Sequence, residues 1–346
     1  MDAPVDLRSD FLTRPTPAMQ AAMAAAAAAP AHFGLREDPR QQALERRAAD
    51  LLGMEDALLF PTCTMANEVA LMLLTTPGDL VLAPPRPHVV TSEAGAPAAL
   101  AGVAVVELSG DGACPPAAAW HEAAGAVHDE LKPRVAALVL ENTHNRSGGL
   151  PVDVAGTQGV IAVARAKGLR AHLDGSRLFN AAVACRVTPG ALCEGFDTVA
   201  ISLNKGLGAP LGAMLAGSSA LIARAIVLRQ RLGGGIRPTG IVSAAGLVAL
   251  DDWAHLSDDH DRARSLALGL AGLRGVRVDI DAVRTNIVVA TITVDDAPAG
   301  NACARLASHG VLALPFGTGR LRLVTYRGIG DDDIARAVAA FRAAFT

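Results

Sequence analysis

The amino-acid sequence predicts an α/β fold, in which helices flank a mostly parallel sheet and a small C-terminal α+β domain follows. Three observations support this prediction. Uninterrupted apolar runs, such as residues 135–141, are typical of strands that are buried on both faces of a sheet. A helical pattern over residues 154–167 separates two such runs, as in a β-α-β unit. Strands and then a closing helix occupy the end of the chain, which indicates a separate α+β domain.

The length of the chain favours two closely packed domains, because 346 residues exceed one ordinary domain and can bury a large core. We predict an N-terminal arm at residues 1–17, a large domain at residues 18–240 and a small C-terminal domain at residues 241–346.

Composition excludes several classes of partner. The formal net charge of −3 and the aromatic content of 3% give no reason to expect nucleic acid or an anionic membrane surface. Charged residues interrupt the apolar runs before they reach membrane-spanning length, so we expect a soluble protein. The five cysteines are scattered and form no Cys-x-x-Cys pair, which predicts no metal site. Without a signal pattern, reduced thiols in the cytoplasm are expected.

The first elements are a proline-bounded helix and an amphipathic helix. Residues 17–29 are strong helix formers and end at Pro30. Residues 39–53 show a charged, amphipathic pattern that ends at Gly53, and residues 57–60 form a short strand.

A turn of small hydroxylated residues at 61–67 then opens an apolar helix that runs to Leu74. Free N–H groups and the helix dipole favour an anion there, so Cys63 and Thr64 are candidate phosphate ligands. Simple N-capping by Thr62 or Thr64 is the alternative interpretation.

Two histidines follow predicted strands. His88 comes after the strand at residues 80–83, and His144 comes after the strand at residues 135–141, within a run of polar residues. So many polar groups at the end of a buried strand are costly unless they bond one another or a ligand. Asn142 and Asn145 of this run also suit a hydrogen-bonded loop anchor.

The chemistry is organised around Lys205 and Asp174. Lys205 follows an apolar strand and enters a glycine-rich turn, and Asp174 ends another strand about one β-α-β unit earlier. The carboxyl ends of parallel strands lie at one edge of a sheet, where α/β proteins place their ligands. An amine that bonds an aldehyde and a carboxylate that keeps a pyridine nitrogen protonated are what pyridoxal 5'-phosphate (PLP) requires.

The C-terminal half continues with a predicted helix at residues 217–232, three glycines at 233–235 and Arg237. Three successive glycines suit a flexible hinge. A helix from residue 241 to about 253 leads into the predicted small domain. Its strands are expected at residues 276–280, 287–294 and 320–325, and its closing helix at residues 331–345.

Several blocks of this sequence resemble the L-threonine aldolases, which belong to the β-eliminating lyase group of fold-type-I PLP enzymes. They are Asp6-Leu-Arg-Ser-Asp10, Thr13-Arg-Pro-Thr-Pro17, Thr64-Met-Ala-Asn67, Glu141-Asn-Thr-His-Asn145, Leu173-Asp-Gly-Ser-Arg-Leu-Phe-Asn-Ala181, Lys205-Gly-Leu-Gly-Ala-Pro210 and Gly233-Gly-Gly-Ile-Arg237. The blocks occur in the family order and cover nearly the whole chain. The resemblance implies the fold-type-I PLP-dependent transferase fold, with residues 18–240 as the PLP-binding domain.

The resemblance also implies roles for cofactor-binding residues. Lys205 would hold PLP over Asp174. The ring of His88 would stack on the cofactor and contact the substrate hydroxyl, and it could also accept or relay the proton of that hydroxyl. Arg177 would pair with the cofactor phenolate or with the substrate carboxylate, although a surface salt bridge is an alternative. Arg237 would reach across a dimer interface to the partner subunit's cofactor phosphate.

The remaining implied roles concern the substrate. His144 would face its hydroxyl, and Arg322 would bind its carboxylate with help from Ser9, on an arm that folds over the active site. Arg320 alternates with Arg322 on one strand face, so register alone does not exclude Arg320.

Some positions depart from the family pattern. Phe11 stands where a threonine is usual, Leu35 and Arg36 resemble an insertion near the site, and Cys63 replaces a glycine. Asn204 replaces the serine before Lys205, and Tyr326 stands where a histidine is frequent. We expect these departures to leave the PLP chemistry intact and to bear on the substrate side chain and on the affinity for the cofactor phosphate.

The sequence therefore predicts a cytoplasmic PLP-dependent aldolase of amino-acid metabolism, a homodimer or homotetramer with shared active sites. It would cleave L-threonine, L-allo-threonine or a related β-hydroxy-α-amino acid reversibly to glycine and an aldehyde. Three alternatives are a same-fold aldolase or transaldolase for a larger, phenylserine-type substrate, a β-eliminating lyase or racemase, and a non-catalytic PLP-binding protein.

Overall fold

A computed structural model describes residues 3–110, 112–125, 131–294 and 299–346. The chain divides into two compact units. The large unit comprises Pro15–Ser147 and Pro151–Trp253, and the small unit comprises Met1–Arg14, Gly148–Leu150 and Ala254–Thr346.

The described residues form strands and helices throughout both units. In chain order the strands are β1 (Val5–Asp6), β2 (Asp56–Phe60), β3 (Leu80–Ala83), β4 (Ala104–Glu107), β5 (Val135–Glu141), β6 (Arg170–Gly175), β7 (Thr198–Ser202), β8 (Ala213–Gly217), β9 (Val276–Val278), β10 (Ile287–Ile292), β11 (Val311–Leu312), β12 (Leu314–Pro315) and β13 (Arg320–Val324). The helices are α1 (Pro17–Ala27), α2 (Pro39–Leu52), α3 (Cys63–Leu74), α4 (His88–Thr91), α5 (Ala117–Ala124), α6 (Val154–Lys167), α7 (Leu178–Cys185), α8 (Pro189–Cys193), α9 (Ser219–Arg231), α10 (Gly240–Asp251), α11 (Leu256–Ala271), α12 (Ala299–Ser308) and α13 (Asp331–Phe345).

The large unit is built on a seven-stranded sheet with the order β2-β8-β7-β6-β5-β3-β4. Five adjacent strands, in the sheet order β7-β6-β5-β3-β4, pair in parallel. By contrast, β8 is antiparallel to both of its neighbours, β7 and β2. The predicted α/β class with a mostly parallel sheet is therefore confirmed. Because β5, β6 and β7 are parallel neighbours, the residues that follow them lie at one edge of the sheet.

Local sequence explains where the helices of this unit begin and end. Thr16, Asp38 and Asp153 cap α1, α2 and α6 by accepting backbone N–H bonds with their side-chain oxygens. Gly53 ends α2 in a left-handed conformation, with φ of 68°. The bounds of α6 agree with the predicted helix at residues 154–167.

Apolar packing covers both faces of the central strands. Every residue of β7 and β8 is buried, which accounts for their lack of polar alternation. On one face, α3 and α9 share a core with strand residues such as Leu58, Phe60 and Leu215. Among the residues that the structure describes, no helix has both the length and the apolar character needed to cross a bilayer.

The small unit has an antiparallel sheet with the order β12-β13-β10-β9. Apolar residues of α11 and α13 share one hydrophobic core with this sheet. The N-terminal arm belongs to this unit, because β1 pairs in parallel with β11. The hydroxyl of Tyr326 also donates to the carbonyl of Asp6, at 3.0 Å. Tyr326, one of the departures from the family pattern, therefore helps to hold the arm.

The division into units differs from the predicted domains in the boundary near residue 241, in the assignment of the arm, and in Gly148–Leu150, which cluster with the small unit. The sequence places a boundary before residue 241, but α10 packs against α1 and α2 and clusters with the large unit, so the chain crosses between units after Trp253. The arm clusters with the C-terminal residues because its strand partner, β11, lies there. Neither long-range contact is visible in local sequence patterns.

Candidate active site

Asp174 and Lys205 lie at the same edge of the large-unit sheet. Asp174 is on β6 and pairs in register with Ala200 of β7, and Lys205 begins a short 3₁₀ turn just beyond the end of β7. Both side chains are buried. Lys205 has a φ of 55°, a left-handed conformation that is uncommon for a residue with a side chain. The amine and the carboxylate thus occupy the position that the sequence predicts.

Asp174 is ionised although it is fully buried. Burial alone would raise its pKa, but His88 and Lys205 stabilise the charged form and hold the pKa below its ordinary value. Its Oδ2 accepts a hydrogen bond from Asn67 Nδ2 at 3.0 Å, and its Oδ1 accepts one from the backbone N–H of Ser176 at 3.1 Å. A carboxylate held in this way is suited to pair with a protonated ring nitrogen.

Two residues with no role predicted from the sequence, Asn67 and His172, form a hydrogen-bonded chain that leads to Asp174. His172 Nε2 bonds Asn67 Oδ1 at 3.1 Å, and His172 Nδ1 bonds Thr198 Oγ1 at 2.9 Å. Burial lowers the pKa of His172 to about 4, so its imidazole is neutral. With its oxygen bonded to His172, Asn67 directs its amide nitrogen to Asp174 and Glu93. A histidine inside an otherwise apolar strand is the sequence signal that points to this role.

His88 is the first residue of α4 and is tied to two glutamates. Its Nδ1 lies 2.7 Å from Glu93 Oε1, and its backbone N–H donates to Glu141 Oε2 at 2.8 Å. Burial alone would lower the pKa of His88, but the hydrogen bond with Glu93 and the charge of Asp174 raise it above the ordinary value. The protonated imidazolium is therefore favoured at this position.

His144 follows β5 and has the opposite electrostatic character. Burial lowers its pKa, and the nearby Glu141 carboxylate opposes this effect only in part. Its Nδ1 lies 2.8 Å from Ser147 Oγ, and its Nε2 lies 3.7 Å from Glu141 Oε2. The two predicted histidines thus differ in charge, with His88 biased to the cation and His144 to the neutral ring.

The polar run after β5 is partly a loop anchor. The side chain of Asn142 exchanges two hydrogen bonds with the backbone of Val152, at 2.8 and 3.0 Å. Glu141 Oε1 accepts the backbone N–H of Asn145 at 2.9 Å, while its other oxygen accepts that of His88. The anchor interpretation therefore holds for Asn142, and Glu141 fixes the segments that carry both histidines.

The start of α3 has the features of an anion site. Thr62 is the N-cap residue, and its Oγ1 accepts the N–H of Met65 at 3.1 Å. The first-turn N–H groups of Cys63 and Thr64 have no partner within the helix by its geometry. Cys63 Sγ accepts a hydrogen bond from Ser176 Oγ at 3.0 Å, and burial raises its pKa to about 12, so the thiol is neutral. Capping and phosphate binding are compatible in this turn.

The glycine-rich loop at 233–235 packs closely rather than lying in open space. A side chain at Gly234 would collide with Met65 in the first turn of α3, and one at Gly235 would collide with Gln230. The flexible side chains of Met65 and Gln230 would have to move to admit a side chain at these two positions. Arg237 is exposed, with its guanidinium 5.4 Å from the centre of the Phe33 ring. Its role across a subunit interface stays a prediction.

Arg36 anchors the loop that departs from the family pattern. Its guanidinium contacts Glu45 at 2.7 Å and Asp56 at 2.8 Å, and these contacts join the loop to α2 and β2. The backbone carbonyl of Leu35 accepts from Gln41 Nε2 at 3.0 Å. The insertion is thus built into the large unit by ion pairs. Asn204, another departure, accepts a hydrogen bond from Ser202 Oγ.

The other predicted substrate ligands are divided between the units. Arg177 lies in the large unit, buried at the start of α7, and Ser9 and Arg322 lie in the small unit. Ser9 Oγ accepts the N–H of Phe11 at 3.2 Å, and Arg322 Nη2 donates to the carbonyl of Arg8 at 3.1 Å. The roles of these side chains in binding a carboxylate stay predictions.

Arg320 and Arg322 share one face of β13, as the strand period predicts. Their guanidinium carbons lie 5.9 and 6.0 Å from the centre of the Phe316 ring. Phe11, the remaining departure, is exposed on the arm.

The side chains of the large unit fit PLP. A buried primary amine suits a bond to an aldehyde, and an ionised carboxylate at the same edge suits a pyridinium nitrogen. A helix start with open N–H groups suits a phosphate.

Comparison with known proteins gives concordant results. A profile of the beta-eliminating lyase family matches residues 6–293. The chain is 37% identical over 348 aligned residues to a probable low-specificity L-threonine aldolase 2 of Arabidopsis thaliana, with 99% of this chain and 97% of the relative covered. It is 34% identical to the low specificity L-threonine aldolase of Escherichia coli strain K12, with 98% of both chains covered.

The solved structures agree with these relatives. The structure of a Leishmania major threonine aldolase superposes with a TM-score of 0.86 at 21% identity, covering 99% of this chain and 100% of that one. The predicted fold type is therefore confirmed.

Proposed function

Since the chain belongs to the beta-eliminating lyase family and is a PLP-dependent lyase, we propose that it is an aldolase for L-threonine, L-allo-threonine or a related β-hydroxy-α-amino acid. The products are glycine and an aldehyde, and the reaction is reversible. The observation that carries the proposal is the buried pair of Asp174 and Lys205 at one sheet edge, with Asp174 kept ionised.

Large-unit residues hold the cofactor in this proposal. Lys205 provides the amine for its aldehyde, and Asp174 keeps its ring nitrogen protonated. The first turn of α3, with Cys63 and Thr64, receives the phosphate, and Arg177 supplies a planar cation for an oxygen of the cofactor or substrate. Bound PLP withdraws electrons from the bonds of the substrate Cα, which makes cleavage of the Cα–Cβ bond feasible.

The different pKa shifts of the two histidines suggest how the proton of the substrate hydroxyl moves. His144 is neutral, so its Nε2 takes this proton as the Cα–Cβ bond breaks and the hydroxyl oxygen forms the aldehyde C=O. His88, biased to the imidazolium, orients the cofactor ring by stacking and donates a hydrogen bond to the hydroxyl oxygen. A proton added to Cα completes glycine.

The substrate carboxylate binds Arg322, with Ser9 assisting. Arginine suits this task because its planar fork forms two parallel hydrogen bonds with a carboxylate. The side chain also lies against Phe316, which limits its freedom.

We assign the protein a homodimeric or homotetrameric state in which active sites are shared and Arg237 serves the partner subunit's phosphate site. Support comes from the exposure of Arg237 beside Phe33, itself 84% exposed. A cytoplasmic location is supported by the five free thiols.

The test is incubation of the PLP-loaded protein with L-threonine, L-allo-threonine and L-phenylserine in separate reactions. Glycine and the matching aldehyde should form from at least one substrate, and Lys205→Ala should abolish the reaction. Lys132→Ala is a matched control, because Lys132 is an exposed lysine, and this variant should keep full activity.

Other products would redirect the assignment. Pyruvate with ammonia would indicate β-elimination, and the D-isomer would indicate racemisation. A protein that binds PLP through Lys205 but forms glycine from none of the three substrates would contradict the proposed function.

A further inference from the structure

Two buried glutamates near His88 have no part in the proposed reaction. Glu68 lies on α3 and is 1% exposed, and Glu93 follows α4 and is 3% exposed. Glu93 Oε1 accepts hydrogen bonds from His88 Nδ1 at 2.7 Å and from Asn67 Nδ2 at 2.9 Å. Asn67 also donates to Asp174. Glu93 is therefore connected both to a predicted catalytic histidine and, through Asn67, to the predicted partner of the cofactor ring.

The two glutamates interact with each other. Burial raises the pKa of Glu68 to about 8, and the charge and hydrogen-bonding capacity of Glu93 add to the increase. Both carboxyl oxygens of Glu68 and Oε2 of Glu93 are buried and have no partner of normal hydrogen-bond geometry in the described part of the chain. Two neighbouring buried carboxylates cannot both ionise without a large cost, so this pair retains one proton near neutral pH.

Within the part of the chain that the structure describes, Glu93 is the charged group that acts on the pKa of Glu68. The elements packed against α3 are β2, β6, β7, β8, α9 and the short helical turn Pro97–Ala101. The charged groups that these elements carry, among them Arg170, Asp174 and Arg229, are not among the causes of the raised pKa of Glu68, which are burial and Glu93. Glu93 itself faces His88, which in turn responds to Asp174 and Lys205. Because Glu93 is the member that bonds His88, whose pKa is raised, we assign the negative charge to Glu93 and the proton to Glu68.

We propose that Glu68 is a positioning residue whose protonated carboxyl donates a hydrogen bond to Glu93, so that Glu93 Oε1 remains directed at His88 Nδ1. This proposal rests on the proposed function, because Glu68 acts through His88. Loss of the shared proton at alkaline pH would leave two adjacent negative charges, and their repulsion would displace Glu93 from His88. Turnover should then fall as His88 loses its orientation.

The first test is the pH dependence of kcat for wild type, Glu68→Gln and Glu68→Leu. Wild-type kcat should fall about threefold or more between roughly pH 7.5 and 9.5, because general acid–base groups act only when correctly positioned and charged. Glutamine keeps the shape and a donor but has no proton to lose, so Glu68→Gln should lack the part of this fall that comes from Glu68 and keep only the part that comes from the titration of His88 itself. Glu68→Leu removes the donor, and its kcat should fall about tenfold at every pH with little change in KM.

A second test is independent of aldolase activity. Imidazole NMR of the apo-protein, with the His88 signals assigned by a His88→Gln variant, should show a second inflection near pH 8 in wild type that is absent in Glu68→Gln. If the protein forms no glycine from any substrate, this titration still tests the glutamate pair while the proposed function fails.

A double variant separates coupling from a general loss of packing. Glu68→Leu, which alone should lower kcat about tenfold, should have little further effect on kcat in a Glu93→Gln background, because Glu68 acts through Glu93. Fully additive effects, or identical pH profiles and His88 titrations for wild type and Glu68→Gln, would overturn the proposal.

Discussion

Asp174 and Asp259 are both buried aspartates, but they have opposite electrostatic properties. Asp174, in the large unit, receives hydrogen bonds from Asn67 and Ser176 and has a lowered pKa. Asp259, on α11 of the small unit, has two buried oxygens without a hydrogen-bond partner in the described residues. Burial raises its pKa to about 7, although Arg262 lies 4.0 Å away.

The difference shows that neighbouring groups, rather than burial, decide whether an interior carboxyl carries a charge. Desolvation acts on both residues, and only Asp174 has donors and cations that outweigh it. Asp174 is thus prepared to stabilise positive charge on a ligand, whereas Asp259 is a site where folding and proton binding are coupled. Substitution of the two residues should accordingly affect different measurements.

Replacement of Asp174 should have the largest effect on activity. Asp174→Ala removes the fixed negative charge beneath the predicted cofactor ring, so we expect kcat for glycine formation to fall about 10³-fold or more. The loss should exceed that of His88→Asn or His144→Asn, because the charge that develops on Cα depends on the ring nitrogen. Steady-state assays of glycine and aldehyde will rank the three variants.

Asp259→Asn is the matched control for this variant, as it removes a carboxylate of similar burial in the other unit. It should leave kcat unchanged. Equal losses in Asp174→Ala and Asp259→Asn would show that general destabilisation, rather than the local charge, explains the effect.

Substrate binding by the small unit should give the next effect in size. Arg322→Leu should raise KM about 10- to 100-fold with a smaller change in kcat, because a charge-assisted contact with the substrate carboxylate is lost. Arg320→Leu removes a guanidinium from the same strand face and should change KM much less. A larger KM effect from Arg320 would transfer the carboxylate role to that residue.

Asp259→Asn should have the smallest effect on activity, but it should change the free energy of unfolding measurably. The folded-state pKa of about 7 lies above the ordinary value of 3.8, so the stability linked to this group is fully present below about pH 4 and is lost as pH rises through 7. The asparagine of the variant has no proton to lose, so the variant does not lose stability as pH rises. It should be more stable than wild type by about 4 kcal/mol at pH 8 and not at pH 4.

Chemical denaturation at the two pH values will measure the difference. A stability gain that is the same at both pH values would indicate improved packing instead of relief from a buried charge.

Local patterns in the sequence were sufficient for much of the fold. Residues 80–83, 135–141, 154–167 and 331–345 form the predicted elements with the same bounds, because apolar period and capping residues act over a few neighbours. The sequence analysis did not assign β8, an antiparallel strand between β7 and β2. β7 is close to β8 in sequence, but the pairing of β8 with β2 joins residues more than a hundred positions apart, which no short pattern records.

The sequence also predicted part of the candidate site, namely the residues at strand ends, but not the residues that support them. Strand ends identified Asp174, Lys205 and both histidines, since parallel strands bring their carboxyl ends together. The supporting residues Asn67, His172 and Glu93 were not predicted, because their partners come from separate elements of the fold. A polar residue within a buried apolar run, as at His172, was the available signal.

The pairing of β2 with β8 has a consequence for synthesis of the chain. β2 lies at the sheet edge, and its partner leaves the ribosome only after on the order of 150 further residues, or roughly ten seconds of translation. Until then an apolar strand has no hydrogen-bonded neighbour and can associate with other nascent chains. We expect yield of the folded protein to depend on shielding of this strand by a chaperone and on the translation rate between the two strands.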